Sequence, residues 1–349
     1  MDNLIVAQYK KQFRKKYILL ICLFILMILL GAWSLMTGSY YISINDLIKC
    51  LFGNGNQIQS VVIFNLRFPR TIAAVISGGG LAISGLTIQR LLKNPLASPF
   101  TIGISQGAAF GAAFAIMFFG TSGIIQYYLG SNVYTITFFA FIGSIVSTIV
   151  IICLAKLKRF TSESIILAGV ALSALFSSGT VLLQYFADEK ELASIVFWTF
   201  GDIGRSTWQE IIFILISLVI VYVLLLLNRW NFNALGSGKE IAVTLGVNVE
   251  RIRFWGMLLS ALLAALITAF HGVIAFVGLL SPHIAGRLIG SDFRLLLPFT
   301  FIIGSILLLT ADIVGRLLIG SGTIPVGILT SFMGAPLFLY LLIKSHKYR

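Results

Sequence analysis

The chain has 349 residues, of which 58% are hydrophobic and 11% charged, with a net charge of +13. A soluble chain carries about 25% charged residues, so this one lacks the polar surface to coat a water-soluble globule. Its basic residues sit between apolar runs, which points to membrane topology rather than nucleic-acid binding. Cys22, Cys50 and Cys153 are far apart, with no CxxC or Cys/His cluster, so no zinc site or disulfide framework is indicated.

A bilayer core needs about 20 mostly apolar residues per helix. Ten segments qualify: Tyr17–Met36, Thr71–Leu92, Leu96–Phe119, Tyr134–Leu157, Ser164–Phe186, Trp208–Leu227, Phe254–Phe270, Gly272–Leu288, Leu295–Ile319 and Ile324–Ile343. The first follows a basic stretch, Lys10 to Lys16, and is too long for a signal-peptide core, so it reads as an uncleaved helix. With the N-terminus inside, ten spans return the C-terminus inside. The inner segments then hold 19 Lys/Arg and the outer segments 6, namely Lys49, Arg67, Arg70, Lys190, Arg205 and Arg316. That is the positive-inside bias, and one span more or fewer would invert it downstream.

Two loops exceed what a turn needs. The outer stretch Asp188–Glu210, with Trp198 and Trp208, is expected to form an interfacial helix. The inner stretch 229–253 runs through Leu235–Gly246 and reads as two short helical turns broken at Gly246. It needs a protein partner to bury Leu235, Ile241, Ala242 and Leu245. Within it, Gly236-Ser237-Gly238-Lys239 has the look of a phosphate-loop tail. Asn233 and Glu240 stand where that pattern needs Gly and Ser/Thr, and no strand precedes it, so nucleotide binding is rejected.

Other motifs weigh toward structure. Gly103, Gly107 and Gly111 make a smooth helix face for close packing, and Ala74, Gly78 and Ala82 repeat the device. Pro95, Pro99, Pro282, Pro325 and Pro336 end or kink helices, and broken helices line cavities in transporters. His271 and His283 have no partners at metal-ligand spacing, so packing is the better reading. Asp312 is the one carboxylate well inside a span, and Arg316 at i+4 can pair with it. One such acid gives a secondary transporter no coupling-ion set, and no constellation of His, Asp, Glu or Cys in the bundle suggests an enzyme. Arg67, Arg70 and Arg316 lie on the outer side against the charge bias, which suggests either headgroup anchoring or an acidic partner there.

These residues resemble a known family. The runs Arg67-Phe68-Pro69-Arg70-Thr71, Asn94-Pro95-Leu96-Ala97-Ser98-Pro99 and Gly103-Ile104-Ser105-Gln106-Gly107-Ala108 are similar to the FecCD family. So, in the second half, are Phe276-Val277-Gly278-Leu279-Leu280-Ser281-Pro282-His283, Ala311-Asp312-Ile313-Val314-Gly315-Arg316, and Pro325 through Pro336. These are permease subunits of binding-protein-dependent ABC importers for iron–siderophores, haem and cobalamin.

The resemblance implies an all-α, polytopic bundle of about ten helices with the type II importer, vitamin B12 permease-like fold. It implies a single permease domain over 1–349, membrane-spanning over 17–345, with a cytoplasmic coupling loop at 229–253. A second permease subunit, cytoplasmic ATPase subunits and an extracytoplasmic substrate-binding protein are the implied partners, in a bacterial-type cytoplasmic membrane. Arg67, Arg70 and Arg316 would dock the binding protein. Leu235, Gly238, Glu240, Ala242, Leu245 and Gly246 would couple to the ATPase, and Ser162 and Glu163 would form a cytoplasmic gate. The helices at Ser164–Phe186 and Ile324–Ile343 would line the path. The chain itself would hold no cofactor and perform no catalysis, ATP and Mg being bound by the ATPase. An iron–siderophore is the implied cargo, with haem and cobalamin as alternatives.

Overall fold

The computed structural model describes residues 2–119, 132–157, 162–319 and 322–346, and among these it is helical with no strand. Fifteen α-helices are used below. They are α1 Asp2–Met36, α2 Ile44–Leu51, α3 Gln57–Val61, α4 Phe68–Leu92, α5 Ile104–Phe119, α6 Asn132–Leu157, α7 Ser162–Phe186 and α8 Glu189–Thr199. There follow α9 Trp208–Leu227, α10 Arg229–Ser237, α11 Lys239–Thr244, α12 Val249–His271, α13 Val277–Ile289, α14 Phe293–Leu318 and α15 Val326–His346. A π-helical turn, Val62–Arg67, joins α3 to α4.

Seven of the helices are long and apolar enough to cross a membrane; α5, α13 and α15 complete the ten apolar segments of the sequence. Two boundaries move. The third segment does not begin at Leu96, because Asn94–Gly103 is an irregular connection and α5 starts at Ile104. Pro95 and Pro99 supply no backbone donor and push the residues before them out of helical geometry. The eighth does not begin at Gly272: residues 272–276 are non-helical, and α13 spans 13 residues, about 20 Å.

The bundle is organised around α4. In its apolar 18-residue stretch 89% of residues are buried, against 17% in the corresponding stretches of α1 and α7. Its small residues allow this. A Cβ on Gly78 would strike the carbonyl of Gly304 on α14, and one on Gly85 the backbone of Gly278 on α13. The Ala74, Gly78, Ala82 face is therefore the α14 crossing, since Gly304 in turn meets the Ala82 methyl. On α5, Gly107 and Gly111 lie against the backbone of Gly143 and Phe139 on α6. Gly103 precedes the helix at φ +83° but meets α6 too, its carbonyl accepting from Ser147 Oγ at 3.0 Å.

Close backbone approach without a hydrophobic driving force is what holds helices together in lipid. Gly78→Val should therefore lose about 1–3 kcal/mol through overpacking. Gly286→Ala, where nothing lies within 4 Å of the new methyl, should be neutral or better. Melting temperatures in detergent would check the pair, and equal values would refute the packing argument.

The outer-loop helix is present as α8, with Asp188 and Glu191 forming a reciprocal capping box. It is not an interfacial helix resting on its tryptophan. Trp198 is buried, in a cluster with Ala108 and Ala112 of α5. The smooth wall of α5 leaves room for the indole.

Candidate functional site

Three places carry polar or unpartnered groups in a pattern that plain packing does not require. The first is the C-terminal end of α1. The last carbonyls of a helix have no partner within it, and here two distant arginines supply one. Arg67 Nη1 donates to the carbonyls of Leu35 at 2.9 Å and Met36 at 3.1 Å, while Nη2 donates to that of Tyr40. Arg316 Nη1 donates to the carbonyls of Ser34 and Thr37, each at 2.8 Å, and Nη2 donates to Ser34 Oγ at 2.5 Å. Cations at a helix C-terminus also complement its dipole.

Asp312 ties this cap together. Its carboxylate, fully buried, meets Arg316 Nη2 at 2.7 Å, the i+4 pair legible in the sequence. It also meets Arg70 Nε at 2.7 Å, a partner 242 positions away that local spacing could not reveal. One buried carboxylate thus faces two guanidiniums, with α1, α4 and α14 joined at one end. Arg67 and Arg316 are buried, with their donors turned inward on these carbonyls. Arg70 Nη2 and Arg316 Nε are both buried without a hydrogen-bond partner, and Arg70 is the least buried of the three arginines.

The second place is the break between α12 and α13. Phe276 takes a left-handed φ of +65°, which is uncommon for a bulky side chain and marks a locally imposed geometry. Glycines hold the segment. Gly327 N donates to the Gly201 carbonyl at 3.2 Å, and a Cβ on Gly327 would strike the carbonyls of Phe200 and Val273. An apolar crevice of about 590 Å³ opens beside it, lined by Phe100, Phe200, Phe276, Ile328 and Phe332 among others. His271, at the end of α12, is fully buried between Ser77 Oγ at 3.1 Å and Ser206 Oγ at 2.9 Å. Its role is to hold the break in place. His283 sits elsewhere, in a cavity with Arg90, Lys93 and Arg287.

The third place is the pair α10 and α11, at the other end of α14 from the arginine cap. Phe232 stacks on Phe293 with centroids 4.6 Å apart, and Asn233 accepts from Phe293 N at 2.7 Å. The break between the two helices lies at Gly238, φ +146°, and not only at Gly246. Gly246, φ +78°, ends α11: its N–H donates to Val243 O, and Val247 N donates to Ala242 O, each at 2.9 Å. That is the paired C-terminal motif that glycine permits. Leu235 and Ala242 are buried within the chain itself, contrary to the expectation that a partner must bury them. Ile241 at 48% and Leu245 at 66% exposure remain bare, joined by Val243, which the sequence reading overlooked. Lys239 and Glu240 are exposed and Gly238 half-buried. The alternation follows the helix: Ala242 points into the bundle, while its neighbours on the far face point out.

Glu163, in the first turn of α7, is exposed, and Ser162 opens that helix. Thr161 lies outside the described residues. Half of α7 is bare, with Leu167, Val170, Leu175, Val181 and Tyr185 exposed along its length. Phe332, Leu339 and Tyr340 are likewise exposed on α15.

Comparison with known proteins agrees with this arrangement. A chain of Methanocaldococcus jannaschii assigned as an ABC transporter permease is 48% identical over 345 residues, 98% of this chain and 99% of the relative. The vitamin B12 import system permease protein BtuC of Vibrio cholerae is 32% identical, covering 88% and 90% of the two chains. A solved structure described as the inward-facing conformation of a metal-chelate type ABC transporter superposes with a TM-score of 0.82 at 34% identity, over 93% of this chain and 99% of that one. The model of the FecCD transport family matches residues 25–344. The ten-helix bundle is thus that of a type II ABC importer permease, and the chain belongs to the FecCD transport family.

Proposed function

We propose that this chain is one half of a dimeric permease that moves an iron–siderophore complex inward by ATP-driven alternating access. The bare apolar patch of Ile241, Val243 and Leu245 carries the reading. It stands on short helices whose other side is already packed into the bundle, and it lies among Lys239, Glu240 and Thr244, which suit water and protein better than acyl chains. A cytoplasmic ATPase subunit is the fitting cover, with Leu235, Gly238 and Ala242 anchoring the element and Glu240, Leu245 and Gly246 facing the partner. ATP and Mg belong to that subunit. ATP closes the ATPase pair, this element moves with it, and the helices rock between two states. Energy enters as the differential affinity of ATP for one of them.

The bare faces of α7 and α15 suit a second permease copy with a path between, gated at one end by Ser162 and Glu163. The whole chain acts as one permease domain, membrane-spanning over 17–345, with 229–253 on the cytoplasmic side and both termini there, in a bacterial-type cytoplasmic membrane. At the outer end the rim built by Arg67, Arg70 and Arg316 receives a substrate-binding protein. Arg70 is the arginine best able to meet a partner carboxylate, and Arg67 and Arg316 hold the rim's shape. Arg70→Gln should lower the affinity of the binding protein about tenfold, the loss of one charge-assisted hydrogen bond. Titration against the reconstituted permease would show it, and unchanged affinity would exclude the docking role.

Among its relatives are permeases named for molybdate, Fe(3+)-citrate and hemin import. The iron–siderophore assignment therefore rests on the cargo of the binding protein, with haem and cobalamin as the alternatives, and identifying what that protein holds decides it. Secondary active transport is the competing class. Its coupling ion would need a free acid, whereas Asp312 is held by two arginines. Uptake that survives vanadate and collapses with a protonophore would favour it and overturn the ABC mechanism.

A further inference from the structure

A cavity of about 560 Å³ lies where α9 ends, α12 begins and α10 crosses between them. Its two halves differ in chemistry. Leu224, Trp255 and Leu259, from the membrane-spanning parts of α9 and α12, line one side. Asn228, Asn231, Asn248 and Arg251, at or beyond the ends of the spans, line the other. The polar lining residues thus all stand at or beyond the ends of the apolar spans.

Several observations say what fills it. The cavity adjoins the aliphatic outer face of α9, where Ile216, Val219, Ile220, Val223 and Leu227 are exposed. Such a face belongs against acyl chains, so the cavity is continuous with lipid. Trp255 and Trp230 are 50% and 70% exposed at this level, the headgroup level that tryptophan prefers. Arg251 is the one charged residue among those that line the cavity, and Arg229 stands outside the lining. Arg251 is exposed at the cavity wall, and no ion pair forms with it or with Arg229 among the described residues. Arg229 stands 5.9 Å from the Trp230 ring with its Nε buried and without a hydrogen-bond partner. Glu250, next to Arg251 in sequence, is not a lining residue.

We infer that this cavity binds an anionic phospholipid, the phosphate at Arg251 and the asparagine amides and an acyl chain along Trp255 and Leu259. Basic pockets at the cytoplasmic ends of membrane helices recognise anionic headgroups in this way. The site has a consequence for movement. Phe232 and Gly246, which begin and end the coupling element, are lining residues too, so a bound lipid wedges that element against the first turns of α12. The lipid is then a structural member of the joint through which α10 and α11 move.

The test counts lipids retained by the purified chain, using native mass spectrometry with titration of phosphatidylglycerol, phosphatidylcholine and soluble glycerol 3-phosphate. Wild-type protein should hold phosphatidylglycerol over phosphatidylcholine by about fivefold, the value of one charge near a headgroup. Arg251→Gln should bring the two to parity. Lys93→Gln removes an exposed charge from a different cavity and should keep the preference. Equal retention of the two lipids by wild-type protein would overturn the proposal without any variant needing to fold. An unchanged preference in Arg251→Gln would overturn it as well. Displacement of phosphatidylglycerol by glycerol 3-phosphate at equal concentration would mark a site for free anions instead. If Arg251→Gln keeps its lipid but loses the ATPase subunit, the cavity belongs to a protein partner.

Discussion

Asp312→Asn should unfold the arginine-capped end of the bundle, at a cost of about 3–5 kcal/mol. The substitution is nearly isosteric, so packing barely changes. What changes is the charge: Arg70 Nε and Arg316 Nη2, each 2.7 Å from the carboxylate, would lose the one counterion they have among the described residues. Breaking a buried pair by removing one partner is costly because the remaining charge stays desolvated, and here two remain. Arg316 cannot simply swing out to water, because it also carries the carbonyls of Ser34 and Thr37. Arg316→Met gives a useful comparison. It leaves Asp312 paired with Arg70 but uncaps α1, so it should cost about 2–3 kcal/mol through buried carbonyls left unsatisfied. The melting temperature of the purified protein and the yield of monodisperse material should rank wild type above Arg316→Met above Asp312→Asn. If Asp312→Asn melts with wild type, the carboxylate is not holding the cap.

The same cluster shows where sequence reading reached its limit. The ten apolar segments, the Ala74, Gly78, Ala82 contact face and the Asp312–Arg316 pair were all legible, because each depends on composition or on spacing within one helix. The partner of Asp312 on α4 was not, since nothing local links positions 70 and 312. The three arginines were singled out by their position against the charge bias. Their turning inward onto the end of α1 was hidden, because an orphan carbonyl leaves no mark in a sequence. At Leu235–Gly246 the apolar positions were recognised, but not which of them the chain buries itself. That division depends on where α10 meets α14, through Phe232 and Phe293. The shortness of α13 was obscured by a run of apolar residues continuous with α12, the break being set by the backbone of Gly272 and Phe276.

The division of that element makes the second prediction sharp. Ile241→Asp with Leu245→Asp should weaken association with the ATPase subunit at least about tenfold while leaving the permease folded. Both side chains are exposed in this chain, and surface substitutions away from caps and cores shift stability by within about 0.5 kcal/mol each. Covering one such side chain contributes about 1.5–3 kcal/mol. Losing two, even if each was half covered to begin with, should weaken binding at least about tenfold. Leu235→Ala should behave in the opposite way. Leu235 is 1% exposed, so truncating it opens a cavity within the permease and costs about 2–5 kcal/mol of its own stability. The ATPase would then bind normally to whatever protein still folds. Gly246→Pro separates geometry from surface. Proline holds φ near −65°, against +78° here, and it removes the N–H that Gly246 gives to Val243 O. The end of α11 should unwind, so that the ATPase still docks on Ile241 but its hydrolysis no longer drives uptake. Co-purification, binding affinity and the ratio of uptake to ATP hydrolysed distinguish the three variants. Full ATPase binding by the double aspartate variant would mean that this patch is covered by something else.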